Sequence, residues 1–456
     1  MEREQPRLKI LMFPWLAHGH IFSFLQLAKT LSSRNFAIHL CSTPVNLDSI
    51  KPSIEKEFSA SINLMELHVP SSPQLPPELH TTKNLPSNLI PTLIEAFQTS
   101  SSSFSEILNS ANPDLLVYDF FQPWAPKLAS SKGIPSVLFA TTAATSLSFY
   151  HHHYTIGTRS PFPSKAIYLL DHERIDLRSR ITQHVKDADE DFAFGNLTLS
   201  TDIVLIKSCR EVEDKYVDYL SVLCKKQIVS TGPLIAHASD DDDKEEHSEI
   251  MKWLSEKNQC STLYISFGSE CFLSKEQIAE IAKGIVLLGN VNFLWVIRFP
   301  IEEKITRVED QLPAGFLETV HERGKIIGKW APQTKILAHP SIGGFVSHCG
   351  WSSITETMYF GIPVVAMPIK SEQPLNARLA VEAGFGVEVE KDANGHYVGE
   401  EVAKAINKVM VEKEFYEGLR DRAMRLSEKI KENAEQEANE TAKQLLRICM
   451  KYKAQV

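Results

Sequence analysis

Two histidines, His18 and His20, follow a short apolar run that closes with Phe13-Pro14-Trp15-Leu16-Ala17. Imidazole is the side chain whose ordinary pKa suits it to take a proton from a hydroxyl near neutral pH. It does so as a neutral base only when an acceptor holds its other ring nitrogen. Asp119, directly after Leu115-Leu116-Val117-Tyr118, can be that acceptor. Taken singly, an Asp after a strand is a turn or cap residue, and a histidine at a helix start packs or caps. Both at strand ends, they make general-base chemistry the stronger reading, with His20 and His18 as the candidate bases.

Three further clusters carry binding chemistry. In Trp330-Ala331-Pro332-Gln333 a flat ring can stack on a base, while the Ala331 backbone and the Gln333 amide read its edge. The alternative is a Trp that packs a helix onto a sheet. His348-Cys349-Gly350-Trp351-Ser352-Ser353 reads as a turn into a helix. Free N–H groups and partial positive charge at a helix N-terminus suit a pyrophosphate. Gly350 permits close approach, and His348, Ser352 and Ser353 add donors. The alternative is an N-cap, with Glu356 at capping-box spacing from Ser353. Glu372-Gln373 offers a carboxylate and an amide to sugar hydroxyls, or a carboxylate to a helix dipole. Gly268 and Ser269 can reach a phosphate from the other side.

Positioning these groups requires strands that end where the clusters begin. Short apolar, β-branched runs at 9–13, 37–41, 115–118, 136–139 and 202–206 alternate with helical patterns in the first half. Runs at 262–266, 293–297, 325–328, 344–347, 364–367 and 386–388 do so in the second. Strands apolar on both faces and separated by helices predict parallel sheets. Two doubly wound α/β domains follow, 1–238 and 249–456, joined by an acidic linker at 239–248. The charged stretch 399–451 reads as amphipathic helices, the last expected to pack back on the first domain. Neither half holds a Gly-x-Gly-x-x-Gly loop or a P-loop, so the 348–353 turn is left to hold phosphate, and a nicotinamide oxidoreductase is disfavoured.

Bulk properties exclude other classes. A chain of 456 residues exceeds one ordinary core. Its net charge of -9 argues against nucleic acid or an anionic membrane as partner. No apolar run approaches the ~20 residues of a membrane span, and the first residues lack the pattern of a secretory signal. Seven scattered cysteines without a Cys-x-x-Cys pair fit a reducing cytoplasm and no zinc site. Asp187-Ala188-Asp189 has the spacing of a metal motif but sits in a polar helical stretch. His151-His152-His153 cannot chelate jointly from one helix, since successive positions diverge by about 100°.

The run 330–373 closely resembles the nucleotide-sugar box of plant UDP-dependent glycosyltransferases (family 1), and the likeness extends over nearly the whole chain. The resemblance implies the GT-B architecture, two Rossmann-like domains facing across a cleft, and an inverting transfer with no metal or resident cofactor. It implies that Trp330, Ala331, Gln333, His348, Gly350, Trp351, Ser352, Ser353, Glu356 and Ser269 bind UDP, with Glu356 on the ribose. Thr141, Glu372 and Gln373 would contact the sugar, and a final Gln goes with glucose. His20 and Asp119 match the catalytic pair. Two departures stand out: Ser352 where the family usually has Asn, and Glu372 where it more often has Asp.

Phe13-Pro14-Trp15-Leu16-Ala17-His18-Gly19-His20, Cys41-Ser42-Thr43-Pro44 and Phe121-Gln122-Pro123-Trp124 are similar to the subgroup that extends sugar chains on triterpenoid or flavonoid glycosides of plant secondary metabolism. Trp15, Phe120, Phe121 and His151 are then the expected acceptor wall, with Trp124 beside them. The resemblance thus implies UDP-glucose as donor and a small-molecule glycoside as acceptor, in a cytoplasmic monomer. The alternatives are a bare aglycone acceptor, or xylose, rhamnose or glucuronate as the sugar. A non-catalytic UDP-sugar binder would keep 330–373 but have no need of His20 with Asp119.

Overall fold

The computed structural model describes residues 7–454 apart from 56, 84, 158, 175–192, 237–244, 270 and 300–306. The Asp187-Ala188-Asp189 stretch and residues 239–244 of the expected linker lie outside the described residues. Residues 245–248 already belong to a helix, Glu245–Ser255.

The chain forms two compact units. In the first, seven strands are β1 (Leu8–Phe13), β2 (Phe36–Ser42), β3 (Ile62–Glu66), β4 (Leu115–Tyr118), β5 (Ser136–Ala140), β6 (Ile203–Ile206) and β7 (Gln227–Ser230). They lie in the order β3-β2-β1-β4-β5-β6-β7, all pairs parallel. Helices α1 (His18–Ser32), α2 (Ala144–Thr155) and α3 (Arg210–Cys224) are among the crossovers. In the second unit six parallel strands are β8 (Thr262–Ser266), β9 (Asn292–Val296), β10 (Gly324–Ile327), β11 (Ile342–Ser347), β12 (Val364–Ala366) and β13 (Gly386–Glu388), ordered β10-β9-β8-β11-β12-β13. Helix α4 (Trp351–Phe360) follows β11, and α5 (Gln373–Glu382) follows β12. The two doubly wound parallel sheets of the sequence reading are present.

Both sheets are covered on their two faces, which explains the unbroken apolar strands. Ile10 to Phe13, Leu115 to Tyr118 and Val137 to Phe139 are all fully buried. Two strands escaped the sequence reading, β3 and β7. Both are edge strands: the apolar run of β3 is diluted by Asn63 and Glu66, and β7 offers only Ile228 and Val229 between Gln227 and Ser230.

The order along the chain is not the order of the units. The first unit comprises Met1–Phe162, Ile175–Leu234 and Asn433–Val456; the second comprises Pro163–Arg174 and Ile235–Glu432. A single break near 239–248 leaves two excursions, of which only the first was not expected from the sequence. One is Pro163–Arg174, held in the second unit by Arg378 of α5. Its guanidinium lies 2.7 Å from Glu173, donates to the Tyr168 carbonyl at 2.6 Å, and stacks 4.2 Å above the Tyr168 ring. The other is the end of α6 (Lys413–Lys453), one continuous helix of 41 residues. Its Leu445, Ile448 and Cys449 join the core of the first unit, beside residues of β1, β2 and α1.

That helix also brings Glu437 against Glu211 of α3. Burial, and then the Glu211 charge, push the Glu437 carboxyl up to about 8. Neither of its oxygens has a hydrogen-bond partner. A carboxyl whose folded pKa is raised stabilises least once ionised, so its contribution falls as pH rises from the ordinary value through about 8. Replacing Glu437 by Gln is expected to raise Tm at neutral pH by several degrees and to flatten the decline of Tm between pH 5 and 8, as read by calorimetry.

Candidate active site

The strand order of each sheet reverses once, between β1 and β4 in the first unit and between β8 and β11 in the second. Chains leaving such a pair depart to opposite faces, and a crevice opens beyond the carboxyl ends of the strands. His20, Asp119, Ser269 and the 348–353 turn sit beyond these reversal strands, while Thr141, Trp330 and Glu372 follow β5, β10 and β12.

In the first unit Phe13 of β1 lies in register with Tyr118 of β4. Asp119 thus emerges beside the turn from β1 into α1. Its carboxylate is fully buried and takes three donors: Trp15 N–H at 2.9 Å, Phe120 N–H at 2.6 Å, and His20 Nδ1 at 2.8 Å. A carboxylate accepts only, so this bond fixes the Nδ1–H tautomer and leaves Nε2 with its lone pair. His20 stands on the first turn of α1, its N–H bonded to Ala17 C=O at 3.0 Å and its side chain 28% exposed. The His18 ring packs against Phe22 at 4.3 Å. Of the two candidates only His20 has the geometry of an oriented base.

Thr141, at the end of β5, has its hydroxyl 2.9 Å from the same Nδ1. Reading the sequence for a sugar contact missed this bond, because nothing in the local pattern ties position 141 to position 20.

The aromatic residues split between wall and core. Trp15 is buried, edge-on to Phe97 at 5.0 Å and tilted against Phe121 at 5.4 Å. Phe121 also faces the His20 ring at 6.1 Å, and Phe120 meets Phe121 and Phe194. Trp124 does not join that wall. Its ring packs among Phe13, Phe97 and Phe104, and its Nε1 is buried. The three consecutive histidines diverge as helix geometry requires. His151 is buried against Phe194, and burial lowers its pKa. His152 contacts the Tyr219 hydroxyl at 2.6 Å and the Ser160 carbonyl at 2.9 Å, while His153 lies on Phe149. Among the described residues no group of three His, Cys, Asp or Glu side chains could hold a metal ion.

In the second unit Ser266 of β8 is in register with Ser347 of β11. The two turns that follow are therefore neighbours, and His348 is wedged between glycines. A Cβ on Gly268 would lie 2.7 Å from His348 Cε1, and one on Gly350 would lie 2.5 Å from His348 Nε2. Burial, and then the Lys370 charge, lower the His348 pKa to about 4, so the ring is neutral and offers a single N–H. Helix α4 opens at Gly350 with no side-chain cap and no acidic residue in its first turn. This corrects the capping reading: Ser352 and Ser353 lie inside the first turn, and Glu356 is used elsewhere. The Cys349 turn, at a positive φ of 65°, is fastened by Asn376 of α5, whose amide donates to the Cys349 carbonyl at 3.0 Å. Asn376 was not foreseen.

Gln333 links the remaining groups. Its amide nitrogen donates to Glu356 at 2.7 Å and Ser353 at 3.2 Å, and its oxygen accepts from the Tyr264 hydroxyl at 3.3 Å. Trp330 is 44% exposed, an open face for so large a ring, while Ala331 is buried. The guanidinium of Arg298 lies 5.2 Å from the Trp330 ring centroid, a second contact without a sequence signal. Trp351 is buried and supports α4; Ser269 and Glu372 are half-buried. Gln373 departs from expectation. Its side chain is buried, its oxygen accepts from the N–H groups of Ile369 and Lys370 at 2.9 Å each, and its nitrogen faces Cys271 Sγ at 3.3 Å. In this structure Gln373 shapes the loop that carries Glu372.

An oriented imidazole base in one doubly wound unit, and an uncapped helix N-terminus beside an exposed tryptophan in the other, suit proton removal and nucleotide diphosphate binding. Comparison with known proteins agrees. Residues 99–436 match the family described as UDP-glucoronosyl and UDP-glucosyl transferase. Mogroside IIIx synthase of Siraitia grosvenorii is 48% identical over 438 residues, covering 94% of this chain and 95% of that protein. The beta-D-glucosyl crocetin beta-1,6-glucosyltransferase of Gardenia jasminoides is 44% identical over 440 residues, covering 96% and 98%. A crystal structure from Glycyrrhiza uralensis, complexed with glycyrrhetinic acid 3-O-monoglucuronide, superposes with a TM-score of 0.85 over 98% of this chain and 97% of that one. At 24% identity that last likeness bears on the fold. The chain belongs to the UDP-glycosyltransferase family, with the two-domain GT-B fold of plant family 1.

Two outcomes test the second unit. Gly268→Ala adds a Cβ at a positive φ of 74° and against His348. It should raise KM for the UDP-sugar by about tenfold or more, with a matching loss of UDP affinity by calorimetry. The second outcome concerns pH. Between pH 6.5 and about 4 the unfolded chain binds a proton that folded His348 refuses, so stability falls as pH drops through that window. The full effect is roughly 3 kcal/mol. A His348→Asn variant should lose Tm less steeply over that interval than the parent protein.

Proposed function

We propose that the protein is an inverting glucosyltransferase that moves glucose from UDP-glucose to a sugar hydroxyl of a small glycoside, with a triterpenoid or flavonoid as the aglycone. The observation that carries the catalytic part is the 2.8 Å bond from His20 Nδ1 to the buried, three-fold-bonded Asp119. His20 Nε2 takes the acceptor proton as the acceptor oxygen bonds to the anomeric carbon. The bond from that carbon to the diphosphate breaks, and UDP leaves with the electron pair. Asp119 balances the imidazolium that forms.

On the donor side Trp330 stacks on uracil, the Ala331 backbone and Gln333 meet its edge, and Glu356 accepts from the ribose. The diphosphate lies on the N-terminus of α4, where His348, Gly350, Ser352, Ser353 and Ser269 approach it. The uncapped, acid-free first turn of α4 supports this placement. The partial positive charge there performs the neutralisation that a divalent cation performs in other sites. Glu372 meets the sugar hydroxyls, Thr141 sets the loop after β5, and Gln373 sets the loop that carries Glu372. Trp15, Phe120, Phe121 and His151 form and back the aromatic side of the acceptor site.

The glycoside preference is supported by the relatives. The name of the Gardenia jasminoides enzyme specifies an acceptor that already carries glucose. Trp330 being exposed and Phe121 facing His20 fit a base and an aglycone but do not select among sugars.

His20→Ala and Asp119→Asn should each lower turnover by ~100-fold or more while UDP binding by calorimetry is retained. Mass spectrometry of products from UDP-glucose, offered paired aglycones and their monoglucosides, should show one hexose added to the monoglucosides in preference. Full turnover in His20→Ala defeats the mechanism; preference for bare aglycones defeats only the acceptor class.

A further inference from the structure

The turn from β6 into α3 is polar and almost wholly buried. Lys207, Ser208 and Glu213 are 3%, 0% and 0% exposed. No catalytic role already described uses them. Lys207 and Glu213 nevertheless touch elements that carry the His20 machinery, and Ser208 holds Glu213.

Glu213 reaches from the first turn of α3 to the N-terminus of α2. One carboxylate oxygen accepts from Thr145 N–H at 2.8 Å and from the Thr145 hydroxyl at 2.7 Å; the other accepts from Ser208 Oγ at 2.7 Å. A fully buried carboxylate at a helix N-terminus is a firm cap, since it meets an orphan N–H group and the helix dipole. What it caps is the helix that begins three residues after Thr141. The Lys207 N–H donates to the carbonyl of Ala140, directly before Thr141. The Lys207 ammonium lies 3.3 Å from Ser23 Oγ, which itself donates to Gly19 C=O at 2.8 Å on the first turn of α1. One buried turn thus braces both the loop that holds Thr141 and the helix turn that holds His20.

We propose that Glu213 is a positioning residue for catalysis. By anchoring the start of α2 it sets the Thr141 hydroxyl oxygen 2.9 Å from His20 Nδ1, where it shares with Asp119 the single Nδ1–H in a three-centre bond and so limits rotation of the imidazole. The proposal rests on His20 being the base. Glu213 touches no substrate, and its effect passes through Thr141. A shift of the loop by a fraction of an ångström loosens the second of the two bonds on Nδ1, and misplacement on that scale is enough to cost rate.

The test is a double-mutant cycle on the full chain with UDP-glucose and the accepted glycoside. Glu213→Gln keeps the volume of the side chain but turns an amide N–H₂ toward groups that are themselves donors. It should lower kcat by about tenfold or more while leaving KM for UDP-glucose unchanged. Thr141→Val should also lower kcat. In the Thr141→Val background, Glu213→Gln should cost no further kcat, because the route it uses is already cut. If the two losses multiply, or if Glu213→Gln lowers Tm with kcat intact, Glu213 is a structural cap and the proposal fails. Should Glu213→Gln not fold, Ser208→Ala removes one donor to the same carboxylate and enters the same cycle. A His20→Ala control separates the levels. Retained turnover there removes the base itself, whereas loss of turnover with multiplying double mutants removes only the role of Glu213.

Discussion

Each sheet reverses its strand order once, and that reversal is the constraint from which the rest of the site follows. At β1 and β4, and again at β8 and β11, the two chains leave for opposite faces, so no helix covers the ground between them. Polar groups that would be costly inside either layer collect there. In the first unit the register of Phe13 with Tyr118 puts Asp119 within reach of two donors from the chain that leaves β1, Trp15 N–H and His20 Nδ1. In the second, the register of Ser266 with Ser347 presses the Gly268 turn against His348. Neither pair is close in sequence, and both depend on parallel strands that stay in step.

Two helices that begin at strand ends show how the same physics is put to opposite uses. At α2 the N-terminal charge is neutralised from within by a buried carboxylate, Glu213, and the helix becomes a fixed support. At α4 no cap and no acid occupies the first turn. Its donors are held in place by packing instead: Trp351 buried beneath, Asn376 fastening the preceding turn, and glycines that admit the neutral imidazole of His348. A helix end without a cap is a defect in a purely structural element. In the proposed function this end of α4 meets the diphosphate of the donor.

Most of the strands and the two strand-end clusters were legible in the sequence, because strands buried on both faces leave continuous apolar runs and the residues after them carry the chemistry. What could not be read was the second partner of each polar side chain. Ser353 and Glu356 stand at capping-box spacing, yet both are claimed by Gln333 from twenty or more positions away. Gln373 stands where an amide can face a sugar, yet its hydrogen bonds go to Ile369, Lys370 and Cys271. Trp124 looks like a wall and is part of an aromatic core with Phe13, Phe97 and Phe104. Hydrogen bonds and ring contacts between distant positions leave no periodic trace.

Residue types and local spacing, by themselves, determined the alternation of strand and helix, the presence of two parallel sheets, and which turns offer an imidazole, a carboxylate or free N–H groups. These are matters of pattern over a few residues, where periodicity and side-chain chemistry act directly. Tertiary structure alone decided that the Asp119 carboxylate bonds Nδ1 of His20 and that the Thr141 hydroxyl lies beside the same nitrogen. The reason is that strand order and register, set by packing over the whole sheet, bring together groups separated by about a hundred positions or more.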